Sequence, residues 1–310
     1  LVCVHNGDRF LAAALDSVLA QSYTDFELIV VDDGSTDRSG AILDGYDDRR
    51  VRVIRQQQRG APAALQAGLA DASGAYVSFL DQDDLWMNDK LAAHLELFAR
   101  QPDLDLTFSW YRIIGESGQE IGVRSNRFRG TIDFRALLTD FVIGATSNVV
   151  VRRDAIERAG GIDPALPRFY DFDLCLRVAL LRPHNIQAIP RDLMLYRRHG
   201  GQLTRDLAAM RREWEQVLEK MRRLAPRDVA RVESRSRSNM NRYFACIAYE
   251  SEQFSRALAL LRESFLHSPA HFLADSRNWW TGAACLSGFL LPPGLHRKLE
   301  RLAGLRRERS

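Results

Sequence analysis

Residues 26–35 read FELIVVDDGS, an uninterrupted apolar run that ends in two acidic residues, a glycine and a serine. The branched residues of this run favour strands, and an apolar run without alternation is typical of a strand buried on both faces. Residues 79–84, FLDQDD, repeat the arrangement farther along the chain, with three acidic residues after Leu80. The sequence therefore predicts two buried strands that each end in carboxylates.

Amphipathic stretches alternate with such apolar runs through the first third of the chain. Their apolar residues recur at three- and four-residue spacing, which is typical of helices with one buried face. The alternation predicts an α/β fold in which a mostly parallel sheet is covered by helices on both faces. The predicted strands cover residues 1–4, 26–31, 51–54 and 76–80, and the predicted helices cover residues 10–21, with Asp8 as the cap, 61–72 and 90–101.

The pattern changes after residue 105. We expect strands over residues 106–111, 148–152 and 193–197, polar loops through Gly130, and a helix over residues 168–181. Beyond Leu203 the chain is predicted to be helical, over residues 211–224, 227–252 and 254–268, with the last two meeting as a helical hairpin. The sequence therefore predicts an α/β domain over residues 1–204 and an all-helical C-terminal extension over residues 205–310.

Charge is distributed unevenly along the 310 residues, although the net charge is only +3. Residues 1–204 carry 23 Lys and Arg against 28 Asp and Glu, whereas residues 205–310 carry 20 against 12. Such a basic tail either presents solvated helix faces or attracts an anionic surface. A nucleic-acid partner is not expected, because no aromatic residues interleave with the Arg runs. The four cysteines lie far apart, which indicates buried free thiols in a reducing compartment.

The longest apolar run, residues 279–291, is shorter than the roughly 20 residues that a membrane-spanning helix needs. Two interpretations of the tail stay open: peripheral contact with an anionic membrane, or packing of Trp279, Trp280, Phe289 and Leu290 into the protein core or a dimer interface. We expect a cytoplasmic protein, either free or attached peripherally to the inner face of the membrane. The chain starts without Met inside an apparent strand, so further residues are expected before Leu1 and the lack of a visible signal peptide decides little.

The two acidic clusters should lie close together, because the carboxyl ends of parallel strands share one edge of the sheet. Carboxylates gathered at one edge repel each other unless a cation lies between them, and hard oxygen ligands suit Mg²⁺ or Mn²⁺. The simpler interpretation of residues 32–35 alone is a turn followed by a helix cap. Three acids in the four residues 81–84 are harder to explain without a counter-charge.

Several motifs in the same order resemble one enzyme family. Residues 4–7 (VHNG), 15–23 (LDSVLAQSY) and 26–37 (FELIVVDDGSTD) resemble the opening of the family 2 inverting glycosyltransferases, and residues 79–86 (FLDQDDLW) resemble that family's DxD segment. The similarity covers about residues 1–204, two thirds of the chain. It implies a GT-A type α/β fold for this region, with the helical extension added after it.

The resemblance implies roles for residues at the donor side. Asp33 matches the residue that hydrogen-bonds the nucleotide base, and His5 stands where the family usually has a Tyr packing on that base. Asp81 is placed near the donor ribose and the metal, and Asp83 matches the metal ligand. Cys3, in the first strand, is assigned to donor binding with His5, Asp33 and Asp81.

Further roles fall on two later segments. Asp171, within residues 169–177 (FYDFDLCLR), matches the general base, although a carboxylate there could also cap the following helix. Asp173 and Arg177 are expected to form a structural i,i+4 pair. Residues 196–199 (YRRH) resemble the family's closing segment, in which His199 reaches the metal or the diphosphate and Arg197 or Arg198 clamps the diphosphate.

The chain departs from the family pattern at three places. Cys3 replaces a common Pro, Leu65-Gln66 replace a common Arg-Asn pair, and Tyr170 replaces the Glu that commonly precedes the base. The first two fall near the donor and the third falls on the acceptor side. Donor and acceptor preferences are therefore the properties that these differences put in question.

The resemblance implies a Mn²⁺- or Mg²⁺-dependent inverting hexosyltransferase. Its donor is expected to be a UDP- or dTDP-sugar and its acceptor a glycan or glycolipid hydroxyl, in bacterial cell-surface polysaccharide synthesis. A nucleotidyltransferase would need a Gly-rich phosphate loop, which residues 5–9 do not supply. The alternative from another class is a non-catalytic sugar-nucleotide-binding or scaffold protein whose helical tail is the working part.

Overall fold

The computed structural model describes residues 1–124, 127–201 and 206–291. The chain divides into two compact units, the first formed by Leu1–Phe134 and Val142–His199, the second by Arg135–Phe141 and the described residues from Gly200 onward. The boundary expected between residues 204 and 205 involves residues 202–205, which lie outside the described residues.

Eleven strands occur in the described residues: β1 (Val2–Val4), β2 (Leu28–Asp33), β3 (Val51–Gln56), β4 (Tyr76–Ser78), β5 (Leu80–Asp81), β6 (Leu85–Trp86), β7 (Leu106–Ile114), β8 (Glu120–Arg124), β9 (Gly130–Ile132), β10 (Val149–Arg152) and β11 (Ile186–Arg197). The helices described are α1 (Leu11–Leu19), α2 (Ser39–Asp44), α3 (Ala61–Asp71), α4 (Lys90–Arg100), α5 (Phe134–Thr139), α6 (Arg153–Arg158), α7 (Tyr170–Ala179), α8 (Leu207–Leu224), α9 (Pro226–Glu250), α10 (Phe254–His267), α11 (Pro269–Ala274) and α12 (Ser276–Leu290).

A four-stranded parallel sheet of order β3-β2-β1-β5 forms the first half of the first unit. The expected α/β fold with helices on both faces is confirmed. Leu28 and Val30 share one apolar cluster with helix α1, while Ile29 and Val31 share another with Ala64 of helix α3. This division follows from the strand geometry, because successive side chains point to opposite faces of the sheet.

The N-terminal cap expected at Asp8 is wrong. Helix α1 begins after Phe10, and no side chain caps its first turn. The carbonyl of Gly7 instead accepts hydrogen bonds from the backbone N–H groups of Phe10 and Leu11. The backbone N–H of Asp8 donates to the carboxylate of Asp37, so this residue belongs to the loop that crosses the edge of the sheet.

A second, mixed sheet of order β4-β10-β7-β11-β6 completes the first unit, with β8 and β9 paired to β7 and β11. Strands were missed here, because the loops expected through Gly130 contain β8, and β9 begins where they end. The single strand expected over residues 76–80 is also wrong. Strand β4 pairs with β10 in the second sheet, whereas β5 pairs with β1 in the first, so the chain passes between the sheets at Phe79.

Strand β11 is longer than its sequence suggests, because Pro190 argues against a continuous strand. Its register against β7 shifts between Ile189 and Asp192, so the proline is accommodated at an irregularity rather than within regular pairing. Beyond it the strand runs to Arg197 and delivers that residue to the edge where the acidic clusters lie.

The second unit is helical, as expected. Helices α9 and α10 form the predicted hairpin, in which the hydroxyl of Ser264 donates to the carbonyl of Ser238 at 2.7 Å. Helix α5 belongs to this unit, because Ser236 and Asn239 of α9 donate to its Leu138 and Thr139 carbonyls.

Helix α12 presents large apolar side chains to solvent. Trp279 is 56% exposed, Trp280 64%, Phe289 58% and Leu290 70%, while Ala284 and Cys285 on the opposite side are buried. Packing of these four residues into the core of this chain is therefore wrong. None of the helices that the structure describes is long and apolar enough to cross a membrane.

Candidate active site

Three strand ends meet at one edge of the parallel sheet, as the sequence predicts. Val4 pairs with Asp32 across β1 and β2, and Cys3 pairs with Asp81 across β1 and β5. His5, Asp33 and Asp81 therefore lie at the ends of neighbouring strands, although they are far apart along the chain. The strand pairing therefore brings the two acidic clusters to the same edge of the sheet.

The carboxylates of the second cluster repel one another. Burial, together with the charges of Asp83 and Asp171, raises the pKa of Asp81 to about 7. Burial and the charges of Asp83 and Asp81 raise the pKa of Asp84 well above its ordinary value. Such an arrangement favours a cation or a proton among these groups, since either one relieves the repulsion.

Asp33 is buried, only 1% exposed, and its carboxylate holds the loop that follows β3. Its Oδ1 accepts from Gln56 Nε2 at 2.7 Å and from the N–H of Arg59 at 2.8 Å, and its Oδ2 accepts from the N–H of Gly60 at 2.7 Å. The structure thus gives Asp33 a loop-anchoring role beside His5. Its predicted bond to the nucleotide base stays a prediction.

His5 is half-buried between this loop and the second acidic cluster. Its Nδ1 lies 3.0 Å from the Asp33 carbonyl oxygen, and its Nε2 lies 3.1 Å from the amide nitrogen of Gln58, an arrangement that suits the tautomer protonated on Nδ1. Its backbone N–H donates to Gln82 Oε1, and its carbonyl accepts from Gln82 Nε2. Gln82, which the sequence singled out only as the middle of a motif, therefore links the ends of β1 and β5.

Asp83 and His199 form the closest pairing of predicted metal ligands. The Asp83 Oδ2 and His199 Nε2 atoms lie 2.6 Å apart, although 116 residues separate them. Both side chains are 17% exposed, so the pair is reachable from solvent. The His199 ring also packs on Phe10, with ring centroids 5.1 Å apart.

Arg197 is buried beside this pair and faces the backbone. Its Nε donates to the Asp83 carbonyl at 2.8 Å, its Nη1 lies within bonding distance of the Gly115 and Glu116 carbonyls, and its guanidinium stacks over Phe10. These contacts make Arg197 a brace for the loop carrying Asp83. Its predicted contact with a diphosphate stays a prediction.

Asp84 is a structural carboxylate that the sequence did not single out. It is fully buried, its Oδ1 accepts from the backbone N–H of Arg197 at 2.9 Å, and its Oδ2 accepts from the hydroxyl of Ser147 at 2.6 Å. Ser147 in turn accepts from the backbone N–H of Asp81 at 2.9 Å. Asp84 therefore joins β11, the second acidic cluster and a short 3₁₀ turn, Thr146–Asn148.

Asp171 lies in the first turn of helix α7 and is half-buried. Its Oδ1 accepts from the N–H of Phe172 at 2.7 Å, and its Oδ2 accepts from the hydroxyl of Thr146 at 3.1 Å. Burial raises its pKa to about 6, against the lowering effect of these hydrogen bonds. A carboxylate with this pKa is ionised near neutral pH yet basic enough to accept a proton.

The neighbours of Asp171 divide into two roles. Tyr170, where the family pattern expects Glu, is buried, and its hydroxyl lies 3.2 Å from that of Thr146. Asp173 and Arg177 form the expected structural pair, with the Arg177 Nε donating to Asp173 Oδ2 at 2.8 Å. Thr146 contacts Asp171, and the next residue, Ser147, accepts from the backbone N–H of Asp81, so the predicted base lies near the carboxylates of the second acidic cluster.

The candidate metal ligands at this edge suit a divalent ion that is also held by the phosphates of a bound substrate. Within residues 1–124, 127–201 and 206–291 no cluster of three or more His, Cys, Asp or Glu is arranged as a complete site. Asp83 and His199 supply an oxygen and a nitrogen side by side, and the half-buried Asp81 adds a carboxyl whose pKa is raised by burial and by the charges of Asp83 and Asp171. Mg²⁺ is commonly held by one or two carboxylates plus substrate phosphates, so this smaller set fits such an ion.

Cys3 lies in β1 directly beside Asp81 and is half-buried. Burial, followed by the charges of Asp33, Asp81 and Asp32, raises the pKa of its thiol far above the ordinary range. The thiol therefore stays protonated and behaves as a small wall of the site rather than as a nucleophile.

Comparison with known proteins agrees with this geometry. The model of glycosyl transferase family 2 matches residues 1–160, and the chain belongs to this family. An uncharacterised glycosyltransferase of Nostoc sp. is 30% identical over 209 residues, which are 65% of this chain and 64% of that protein. Another from Rickettsia felis is 29% identical over 203 residues, 65% of this chain and 33% of that protein. The chain thus spans less than two thirds of either relative.

Among solved structures, S. aureus TarS 1–349 in complex with UDP-GlcNAc has a TM-score of 0.63 and 16% sequence identity. The alignment covers 93% of this chain and 90% of that chain. At this identity the likeness establishes the fold, and the GT-A type expected from the sequence is confirmed.

Proposed function

We propose that this chain catalyses metal-dependent transfer of a sugar from a nucleoside diphosphate sugar to an acceptor hydroxyl, with inversion at the anomeric carbon. The observation that carries the proposal is the meeting of three groups at one edge: the Asp83–His199 pair, the half-buried Asp81 and the carboxylate of Asp171. Family membership supports the reaction class.

The donor would bind at the edge formed by Cys3, His5, Asp33 and Asp81, with the base beside His5 and the loop that Asp33 anchors. Asp83, His199 and Asp81 would hold Mn²⁺ or Mg²⁺. When bound, the ion neutralises the charge that grows on the departing diphosphate. The complex of TarS with UDP-GlcNAc supports a uridine nucleotide, and a dTDP-sugar is the other donor that we propose to test.

Asp171 would act on the acceptor. Its carboxylate takes the proton of the attacking hydroxyl while a bond forms from that oxygen to the anomeric carbon. The bond from the anomeric carbon to the diphosphate breaks on the opposite face, so the configuration is inverted. With a pKa of about 6, Asp171 is mostly ionised at pH 7 and can serve as this base.

A direct test measures UDP release from UDP-GlcNAc with Mn²⁺ present. We expect slow hydrolysis that stops with EDTA, and a fall of about a hundredfold or more in Asp83→Ala, because the ion then loses a ligand. Asp25→Ala, which removes an exposed carboxylate, is the control and should behave as wild type. The other UDP- and dTDP-sugars form the remaining donor panel.

The outcome decides between functions. Metal-independent turnover, or full activity in Asp83→Ala, would contradict the proposed metal site. Retention of the donor's anomeric configuration, observed by NMR, would contradict inversion. Tight donor binding without turnover of any donor or acceptor would favour the non-catalytic sugar-nucleotide-binding alternative.

We further propose that the acceptor is a glycan or glycolipid and that the protein works in the cytoplasm, on the inner membrane surface. Trp279, Leu286 and Leu290 recur on one exposed side of α12, and no charged residue lies between Asn278 and Leu291. Tryptophan favours the boundary between lipid and water. Residues 292–310 carry six Lys and Arg against two Glu, a charge that complements an anionic lipid surface.

Vesicle flotation tests this contact. Binding should require anionic phosphatidylglycerol, weaken at high salt, and fall in Trp279→Ala but not in Leu224→Ala, which removes another exposed apolar side chain of the second unit. Absence of binding at low salt would contradict the proposal. A stable dimer that Trp279→Ala dissociates would assign the surface to a second copy instead.

A further inference from the structure

The short 3₁₀ turn Thr146–Asn148 lies between the predicted base, Asp171, and the carboxylates of the second acidic cluster. Thr146 Oγ1 contacts Asp171 Oδ2 at 3.1 Å and the Tyr170 hydroxyl at 3.2 Å. The next residue, Ser147, donates to Asp84 and accepts from the backbone of Asp81. Thr146 therefore contacts the predicted base, whereas the next residue, Ser147, contacts the second acidic cluster.

The turn itself is held by buried polar groups. Asn148 Nδ2 donates to the carbonyls of Ser109 at 2.7 Å and Ile143 at 3.0 Å, and its Oδ1 accepts from the N–H and hydroxyl of Ser109. The indole of Trp86 donates to the Ser147 carbonyl at 2.9 Å, and Lys90 Nζ donates to the Asn148 carbonyl at 3.2 Å. A turn fixed from several sides presents its hydroxyls in one orientation.

Counting hydrogens assigns the direction of the bonds around Thr146. Its hydroxyl has one hydrogen, and an ionised Asp171 can only accept, so Thr146 donates to Asp171 Oδ2. The Thr146 hydroxyl is the donor to the Tyr170 oxygen at 3.2 Å as well, so its single hydrogen is shared between Tyr170 and Asp171. The Tyr170 phenol stays protonated, because burial and the charges of Asp81 and Asp171 raise its pKa.

We propose that Thr146 is a positioning residue for Asp171. The bond to Oδ2, together with the Phe172 N–H on Oδ1, sets the plane of the carboxylate and favours its ionised form. The inference rests on the proposed function, in which Asp171 is the base.

The test compares Thr146→Val, which keeps the shape and removes the hydroxyl, with Thr146→Ser, which keeps the hydroxyl. Turnover is followed as UDP release from UDP-GlcNAc with Mn²⁺ across pH 5 to 9. We expect Thr146→Val to lower kcat by about ten- to a hundredfold with little change in donor KM, since a charge-assisted hydrogen bond is lost. The acidic limb of the pH profile of kcat should move to higher pH by about one unit, because the ionised Asp171 has lost a hydrogen-bond donor.

Thr146→Ser should keep the wild-type pH profile. Titration of Asp171 by carboxyl ¹³C NMR gives the same comparison without a donor, and its pKa should rise in Thr146→Val. Thermal unfolding of each variant checks that the fold is retained.

An unchanged Asp171 titration in Thr146→Val, or equal losses in Thr146→Val and Thr146→Ser, would overturn the positioning role. A loss confined to donor KM would overturn it as well. Asp171→Asn is measured alongside, and full turnover in that variant would overturn the base assignment itself. The failure of the proposed function is thereby distinguished from failure of the Thr146 inference alone.

Discussion

Lys90 offers a quantitative test of the packing behind the active-site turn, because its ammonium is fully buried. Its Nζ donates to His94 Nε2 at 3.3 Å and to the Asn148 carbonyl at 3.2 Å, and it lies 5.1 Å from the centroid of the Trp86 ring. Burial lowers the pKa of Lys90 from 10.5 to about 7. The residue is thus held by neutral partners that do not fully replace its hydration.

The sign of the effect on stability follows from proton binding. Between pH 7 and 10.5 the unfolded chain binds a proton at Lys90 that the folded chain has largely lost, so stability rises with pH in this window. With these pKa values, Lys90 costs about 4 kcal/mol of unfolding free energy at pH 7 and about 2 kcal/mol at pH 9. Wild type should therefore gain about 2 kcal/mol from this residue between pH 7 and pH 9.

The perturbation is Lys90→Met, which preserves the side-chain volume and removes the titration. It leaves His94 Nε2 and the Asn148 carbonyl without a donor, at a cost of about 1–3 kcal/mol each that does not depend on pH in this range. Urea unfolding at pH 7 and pH 9 measures both proteins. The difference in unfolding free energy between them should move by about 2 kcal/mol in favour of wild type as the pH rises.

Lys90→Arg is the matched control, because a guanidinium keeps its proton at both pH values. It should lack the pH-dependent gain and be clearly less stable than wild type at pH 9. If wild type and Lys90→Met show parallel pH dependences, the Lys90 ammonium is hydrated in solution. That result would refute both the buried position and the reasoning built on it.

Three more predictions concern the site and its scaffold. Asp171→Asn should lower turnover by about 10²–10⁴-fold, measured as UDP release, while UDP affinity measured by calorimetry stays within about twofold; weakened binding with intact turnover would reassign the residue. In Gly7→Ala the added Cβ would clash with Gln82 Oε1 and displace that side chain from its two hydrogen bonds to His5, so UDP affinity should fall about tenfold and the melting temperature should fall as well. Asp105, whose pKa is lowered by hydrogen bonds from Arg182, Asn185 and Arg158, stabilises the fold at neutral pH and loses this effect on acidification. Asp105→Asn should therefore lower the unfolding free energy by about 2–4 kcal/mol at pH 7 and by less at pH 3; an equal loss at both pH values would contradict the ionic role.

Local patterns in the sequence were sufficient to predict the architecture of the first sheet and the class of reaction. The continuous apolar runs that end at Asp33 and Asp81 predict buried parallel strands, and strand geometry alone then brings their carboxylates to one edge. The family motifs add Asp83, Asp171 and His199 as candidates. These features are readable because each depends on residues adjacent in the chain.

Long-range pairing was decided only by the tertiary structure. The contact of Asp83 with His199 spans 116 residues, and the bond of Thr146 to Asp171 joins a short turn to a helix. Neither periodicity nor local propensity encodes which hydrogen-bonding groups will meet across such separations. Gln82 and Thr146 were missed for this reason, since polar residues in loops look alike until their partners are known.

Burial of charged groups likewise became visible only in the fold. Asp33 reads as a free ligand at the end of a strand, yet the N–H groups of Arg59 and Gly60 already bind its carboxylate. Lys90 reads as a surface residue at the start of a helix, yet it lies inside the protein. A sequence pattern reports which faces are apolar, whereas the free energy of a buried charge depends on the particular donors and acceptors that the tertiary structure places around it.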